Sequence, residues 1–254
     1  MRLATDTLLL ARRALRESVR LPANDAANVF IPIFFYAVTV GALGQVAADA
    51  FGVVDYRGFV VPVAVLQGAA GVASGAGLAM TLDIQSGYFE KLLLTSTPRF
   101  AVVLGRMLAD AVKAVMLAAL IIVIALVVGA GFETGVAGIV VLLLGAGLFG
   151  LAYSGIGMAI ALKTGSPQAA QAGFIIFFPL LFLAPTFAPL EVFARWLEIT
   201  ATFNPVTYIL EGMRGLVIDG WNAGELAKGA GAIAGIGVFT FALTALALRG
   251  RAVQ

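Results

Sequence analysis

The sequence predicts an all-α membrane protein with six transmembrane helices in a single domain over residues 1–254, and two observations predict this class. First, 61% of the residues are hydrophobic and 12% are charged, whereas soluble domains carry about 25% charged residues. Second, the charges bound six uncharged intervals of 19 to 29 residues, and about 20 apolar residues cross a bilayer as a helix. The apolar runs are continuous rather than alternating, which favours helices over barrel strands.

The basic residues orient these predicted spans, because Lys and Arg accumulate in cytoplasmic loops. Twelve of them fall on the side of the N-terminus and four on the opposite side. This bias predicts an inner or plasma membrane protein with both termini in the cytoplasm. The predicted spans are about 26–47, 58–82, 100–130, 136–162, 171–189 and 229–248.

Residues 3–20 predict an amphipathic helix that lies at the cytoplasmic lipid surface and ends before Pro22. Its apolar face carries Leu8, Ala11, Leu15 and Val19. We expect its arginines to form a cytoplasmic interface, in particular Arg12, Arg13 and Arg16. Simple anchoring of the topology by positive charge, in contact with membrane lipids, explains the same pattern equally well.

The cytoplasmic segment after the second span predicts a short helix over residues 86–94. Thr97-Pro98 then predicts a new helix start, with Thr as the cap and Pro at the first helical position. The first turns of the third span carry Arg106, Asp110 and Lys113, whose spacing allows ion pairs along one helix face.

The segment before the last span is apolar and predicts two short helices at the outer leaflet, near residues 190–199 and 205–218. Asn204-Pro205 is a typical capped helix start, and Gly220 is a typical helix stop. The preceding fifth span contains three prolines, Pro179, Pro185 and Pro189, which predict a bend.

Small residues recur four apart in the spans, which is typical of closely packed membrane helices. The predicted sites of close packing are Gly71 with Gly75, Gly231 with Gly235, and the series Ala146, Gly150 and Ser154.

Several classes of activity lack their residues in this sequence. There is no cysteine or histidine, so thiol and imidazole chemistry is excluded. No Gly-Lys-Ser/Thr sequence is present, so the chain has no P-loop for ATP. The net charge of +2 does not suggest a nucleic acid partner. Since the span centres carry no ionisable residue, energy for any transport is expected to come from another subunit.

Two stretches resemble a known family. Residues 87–99, Gly-Tyr-Phe-Glu-Lys-Leu-Leu-Leu-Thr-Ser-Thr-Pro-Arg, precede Gly105-Arg106. Residues 203–215, Phe-Asn-Pro-Val-Thr-Tyr-Ile-Leu-Glu-Gly-Met-Arg-Gly, precede the last span. Together they resemble the membrane subunits of ABC-2 type exporters, with the nearest branch in the permeases of daunorubicin-resistance-type drug exporters.

The resemblance implies a permease that is not itself an enzyme and binds no cofactor. A second, identical permease chain and two separate ABC ATPase subunits, which bind ATP and Mg, are the implied partners. The short cytoplasmic helix is implied to fit into the ATPase, with coupling residues Tyr88, Phe89, Glu90, Lys91, Leu92 and Arg99. The alternative is that Phe89 and the leucines at 92–94 are only buried against the membrane face.

The outer helices are implied to form a gate or exit for the cargo. The candidate gate and pathway residues are Phe178, Pro179, Phe182, Asn204, Pro205, Glu211 and Arg214, together with Phe177. Lipid contact or dimer packing explains these residues equally well.

Three functions remain open at this point. The first is export of a hydrophobic or amphiphilic compound, which the small numbers of Trp and Tyr favour. The second is export of a lipid-linked glycan or polysaccharide, and the third is a membrane scaffold without transport.

Overall fold

The computed structural model describes residues 2–20, 23–95 and 97–251, and these residues form helices and turns without a β-strand. Pro22, which we expected to end the first helix, lies outside them. The helices are α1 (Arg2–Arg20), α2 (Ala23–Leu43), α3 (Ala47–Phe51), α4 (Tyr56–Gln85), α5 (Tyr88–Leu93), α6 (Arg99–Val128), α7 (Gly135–Thr164), α8 (Pro167–Phe182), α9 (Arg195–Phe203), α10 (Pro205–Arg214) and α11 (Ala223–Arg251).

Five of these helices are long and apolar enough to cross a membrane, namely α2, α4, α6, α7 and α11. Each overlaps one predicted span, so the chain is an all-α membrane protein. Helix α8 has 16 residues and a length of about 24 Å, which is less than the roughly 30 Å of a bilayer core. The six-span layout as a whole therefore stays a prediction.

The predicted bounds of the fifth span, 171–189, were wrong. Helix α8 begins earlier because Ser166 caps it, accepting a hydrogen bond from the amide of Ala169 at 3.4 Å. It ends at Phe182, and the chain then continues without regular structure through Pro185 and Pro189. Pro185 and Pro189 have no amide hydrogen to continue the helical bonding, whereas the single Pro179 is accommodated within α8.

Other boundaries moved by a few residues for local reasons. The short helix α5 begins at Tyr88 instead of residue 86, and Pro98 is the N-cap of α6 instead of its first helical residue. The first outer helix starts at Arg195, after a single 3-10 turn at Leu190–Val192. The second outer helix continues beyond α10 as a π-helical turn over Gly215–Asp219, and this turn ends as predicted at Gly220, whose φ of 93° is unfavourable for other residues.

Helix α4 lies at the centre of the bundle and contacts α2, α6, α7 and α8. Its closest neighbour is α7, because a Cβ on Gly77 would lie 2.5 Å from the carbonyl oxygen of Gly157. Of the predicted close-packing sites, Gly150 lies against Ala114 of α6, whereas Gly231 has open space around it, as does Gly235. The last pair therefore does not mediate packing within this chain.

The shorter helices and the loops gather at the two ends of the bundle. The first end, which we call the α5 end, holds α1, α5, the start of α6 and the loop between α7 and α8. The second end, the α10 end, holds α3, α9, α10 and the starts of α4 and α11. The chain after α8 reaches the α10 end, where the Tyr56 hydroxyl donates a hydrogen bond to the carbonyl of Phe187 at 2.9 Å.

Candidate functional site

Helix α5 is a short helix that is separated from the end of α4 by two residues. The amide of Gly87 bonds back to the carbonyl of Ile84 at 3.0 Å, which closes the last turn of α4. Gly87 itself has a φ of 69°, a left-handed conformation that costs glycine little. This turn ends α4 and allows α5 to begin as a separate helix.

The inner face of α5 is anchored by Phe89, which is 1% exposed. It lies in an apolar cluster, and Leu92 is partly buried against the same cluster. The cluster includes Met80, Ile84, Val102, Val103 and Met107. Phe89 is therefore buried, as the alternative predicted for it, and it packs against other helices of the same chain.

The outer face of α5 carries two of the candidate coupling residues, Glu90 and Lys91. Glu90 and Lys91 are exposed, as is Arg99 at the start of α6. Leu94, which the alternative grouped with the buried leucines, is 89% exposed just after the helix. An exposed leucine between charged side chains is the composition of a small protein-binding surface, with an apolar anchor and a polar rim.

Helix α1 is packed directly onto the bundle. A Cβ on Gly105 of α6 would lie 2.7 Å from the Cβ atom of Leu10 and 3.0 Å from the carbonyl oxygen of Thr7. Arg12 and Arg16 are exposed, as an interface residue requires. Arg13 is different, because its side chain is 41% exposed and turns toward the end of α4.

A group of charged side chains, of which Asp83 and Arg106 are buried, joins α1, α4, α5 and α6. Asp83 forms an ion pair with Arg106, and its carboxylate also lies 3.6 Å from the guanidinium of Arg13. Arg106 lies 3.8 Å from Glu17 of α1. The guanidinium of Arg13 stacks over the ring of Tyr88 at 3.9 Å. We call these five residues the charge cluster of the α5 end.

Sequence reasoning missed this cluster. It paired Arg106 only with residues of its own helix, of which the predicted pair of Asp110 with Lys113 is present at 2.8 Å. The available signal was that Asp83 and Arg106 are opposite charges at the same end of consecutive spans, in a chain with few charges.

At the α10 end, Arg214 is a fully buried cation, 4% exposed. It bonds to Glu211 at 2.8 Å, as its spacing predicted, and donates to the carbonyl of Pro185 at 2.7 Å. Its Cζ atom lies 3.6 Å from the centre of the Phe59 ring. Burial lowers the pKa of Arg214 to about 10, so it stays charged at neutral pH. Burial also raises the pKa of Glu211, although the charge of Arg214 opposes this rise.

Asn204 and Pro205 have a structural position in this region. The Asn204 side chain accepts a hydrogen bond from the amide of Val206 at 3.0 Å and donates one to the carbonyl of Leu180. Pro205 occupies the first turn of α10. This pair therefore caps α10 as predicted and ties it to the end of α8.

The aromatic residues of α8 divide between two faces. Phe177 is buried against Phe149 and Tyr153, so it belongs to the core. Phe178 and Phe182 lie on the other face with their ring centres 6.1 Å apart, and Pro179 beside them is exposed. Their row continues through Phe174 at one end and through Phe187 to Phe35 of α2 at the other.

Two cavities lie near the candidate pathway and gate residues. One, of about 260 Å³, lies between α2, α4 and α8 and combines the polar groups of Asn28, Ser74 and Gln171 with apolar side chains. The other, of about 450 Å³, lies at the α10 end beside Glu211 and Arg214. The first cavity, together with the aromatic row of α8, offers an apolar surface with a few polar groups.

Comparison with known proteins identifies the class. A sequence profile of the ABC-2 type transporter family matches residues 5–218, which include both stretches that carried the resemblance. The chain therefore belongs to the ABC-2 type transporter family and is a permease subunit of an ABC transporter.

A curated relative agrees with this assignment. The chain is 24% identical over 212 residues to the daunorubicin resistance ABC transporter permease protein DrrB1 of Streptomyces coeruleorubidus. The aligned region covers 83% of this chain and 74% of that protein. The predicted resemblance to permeases of this type is confirmed.

Proposed function

We propose that this chain is the membrane-spanning subunit of an ATP-driven exporter and that a separate ATPase moves it through α5. The observation that carries the proposal is the two-sided construction of α5. Phe89 fixes the helix to the bundle, while Glu90, Lys91 and Leu94 are exposed for a partner. A helix that is rigidly attached on one face and exposed on the other transmits a push from its partner to the helices behind it.

In this proposal the α5 end faces the cytoplasm, together with both termini. The bias of twelve basic residues to four supports this orientation. Two ATPase subunits bind ATP and Mg and dock at the α5 ends of two identical permease chains. Arg12, Arg16 and Arg99 add positive charge to the docking surface and suit an acidic rim on the ATPase.

The proposed cargo is a hydrophobic or amphiphilic compound. The cavity between α2, α4 and α8 supports this class, because the aromatic row of α8 offers apolar contact and the carboxamides of Asn28 and Gln171 offer hydrogen bonds. The name of the curated relative, a daunorubicin resistance permease, is consistent with a cargo of this kind.

The test is co-purification of the tagged chain with an ATPase encoded beside it, followed by exchange of two charges on α5. The double variant E90K/K91E keeps the net charge and reverses the local pattern. We expect the amount of bound ATPase to fall about tenfold, since charge pairs at an interface contribute on the order of 1.5 kcal/mol or more.

The matched control is E225K/K228E, which exchanges a charge pair at the α10 end. It should bind the ATPase as the wild type does. Equal binding by E90K/K91E and the wild type would show that α5 is not part of the docking surface. If the wild type itself binds no ATPase, the proposed function is contradicted.

A further inference from the structure

The charge cluster of the α5 end contains more ion pairs than the fold of α4 and α6 requires. Asp83 and Arg106 are 7% and 8% exposed, and a buried charge of either sign is costly unless it is paired. Their mutual ion pair meets this requirement by itself. Arg13 and Glu17 of α1 approach the same pair from a third helix and are not needed to neutralise it.

Arg13 also connects α1 with α5 through its side chain. Its guanidinium stacks on the Tyr88 ring at 3.9 Å while it lies 3.6 Å from Asp83. A cation that is shared by an aromatic ring and a carboxylate holds both in place, since each interaction fixes the orientation of the planar guanidinium. Arg13 therefore connects the surface helix α1 with the first residue of α5 and with the end of α4.

The backbone of α1 is fixed to α6 at the same level. The close approach at Gly105 leaves no room for a side chain between the two helices. Displacement of α1 would therefore displace the start of α6. The contact of Glu17 in α1 with Arg106 in α6 strengthens this connection.

We propose that Arg13 is a positioning residue that clamps Tyr88 to α1, so that α1, α5 and the start of α6 move as one rigid unit when the ATPase acts. The inference rests on the proposed function for the source of the movement. It assigns to α1 a part in transmission to the bundle, in addition to anchoring at the lipid surface.

The test uses Arg13→Gln, which removes the stacking cation and leaves the buried pair of Asp83 with Arg106 intact. The fold is therefore expected to survive. Tyr88→Leu is the second variant, since it removes only the ring. Arg20→Gln is the matched control, because Arg20 is an exposed arginine of the same helix.

The first readout is a distance that does not depend on transport. The chain has no cysteine, so Arg12→Cys and Leu94→Cys provide two unique sites for spin labels on α1 and next to α5. In lipid nanodiscs, with labelled chains diluted into an excess of unlabelled chain so that only the distance within one chain is measured, we expect one narrow distance distribution for the otherwise unaltered chain and for Arg20→Gln. Arg13→Gln and Tyr88→Leu should lose the single narrow peak, and an unchanged peak in both would overturn the clamp.

The second readout separates the clamp from the docking. In the complex with its ATPase, unlabelled Arg13→Gln should bind as the wild type does, while the stimulation of ATP hydrolysis by the permease falls about fivefold, the size of a typical coupling term. Stimulation equal to that of Arg20→Gln would overturn the inference. If the wild type binds no ATPase, the proposed function fails, whereas the distance readout still decides whether the clamp exists.

Discussion

The Cζ atom of Arg214 lies 3.6 Å from the centre of the Phe59 ring, so a buried cation joins the short helix α10 to the first turn of α4. The same guanidinium bonds to Glu211 and to the carbonyl of Pro185 after α8. Three segments of the α10 end therefore meet on one side chain. At the opposite end of α4, Asp83 likewise joins three helices, because it contacts Arg13 of α1 and Arg106 of α6.

The first prediction concerns Arg214. Arg214→Met should destabilise the protein by about 3–5 kcal/mol, because it removes a buried cation and leaves the Glu211 carboxylate and a carbonyl without their partner. The measurement is thermal unfolding in detergent. Arg195→Gln is the control, since that side chain is 83% exposed and its loss should change stability by less than about 0.5 kcal/mol. Equal unfolding temperatures for the two variants would contradict the structural importance of Arg214.

The second prediction concerns Glu211, whose pKa burial raises. An acid with a raised pKa in the folded state stabilises the fold most at low pH, and this contribution is lost as the pH rises above the ordinary value of 4.5. Glu211→Gln removes the titration. The unfolding temperature of the variant minus that of the wild type should therefore be more positive at pH 7 than at pH 4. A difference that is constant or becomes more negative with rising pH would show that the pKa of Glu211 is not raised.

The third prediction concerns the contact of α1 with α6. Gly105→Ala places a Cβ 2.7 Å from that of Leu10, and overpacking of this kind costs about 1–3 kcal/mol. Gly231→Ala is the matched control, because nothing lies within 4 Å of its new Cβ. Alanine in a helix is favoured over glycine by about 0.5–1 kcal/mol, so the control should be neutral or more stable. If Gly105→Ala is equally well tolerated, α1 does not pack on α6.

The fourth prediction separates the two faces of α5. Phe89→Ala empties a buried site and should lower stability by about 3–5 kcal/mol. Leu94→Ser changes an exposed side chain and should leave the unfolding temperature unchanged while it weakens ATPase binding. The two variants are compared by thermal unfolding and by co-purification. A loss of stability in Leu94→Ser that matches Phe89→Ala would mean that Leu94 is buried.

The sequence was sufficient for features that depend on local chemistry. Asn204 and Pro205 cap α10 as predicted because cap and proline preferences act over a few residues. The class of protein followed from the length of uncharged intervals, since a bilayer sets that length. The family assignment followed from two short stretches and is confirmed by the profile match over residues 5–218.

Features that depend on tertiary packing could not be predicted in the same way. Phe89 and Leu94 belong to one apolar run, and only the turn at Gly87 decides that the first is buried and the second exposed. The length of α8 depends on whether the chain after Phe182 finds other hydrogen-bond partners, which the Tyr56 hydroxyl and Arg214 provide. The charge cluster joins residues from four helices, so spacing along one helix did not reveal it.

The central claim is that this permease moves its cargo only when a separate ATPase acts on it, and reconstitution into liposomes tests this claim most directly. The chain alone should hydrolyse no ATP. Together with its ATPase it should move a fluorescent amphiphile such as rhodamine 6G across the bilayer in an ATP-dependent manner, and E90K/K91E should abolish the movement while E225K/K228E retains it. ATP hydrolysis by the chain alone, or ATP-dependent movement that is the same with E90K/K91E, would contradict the account.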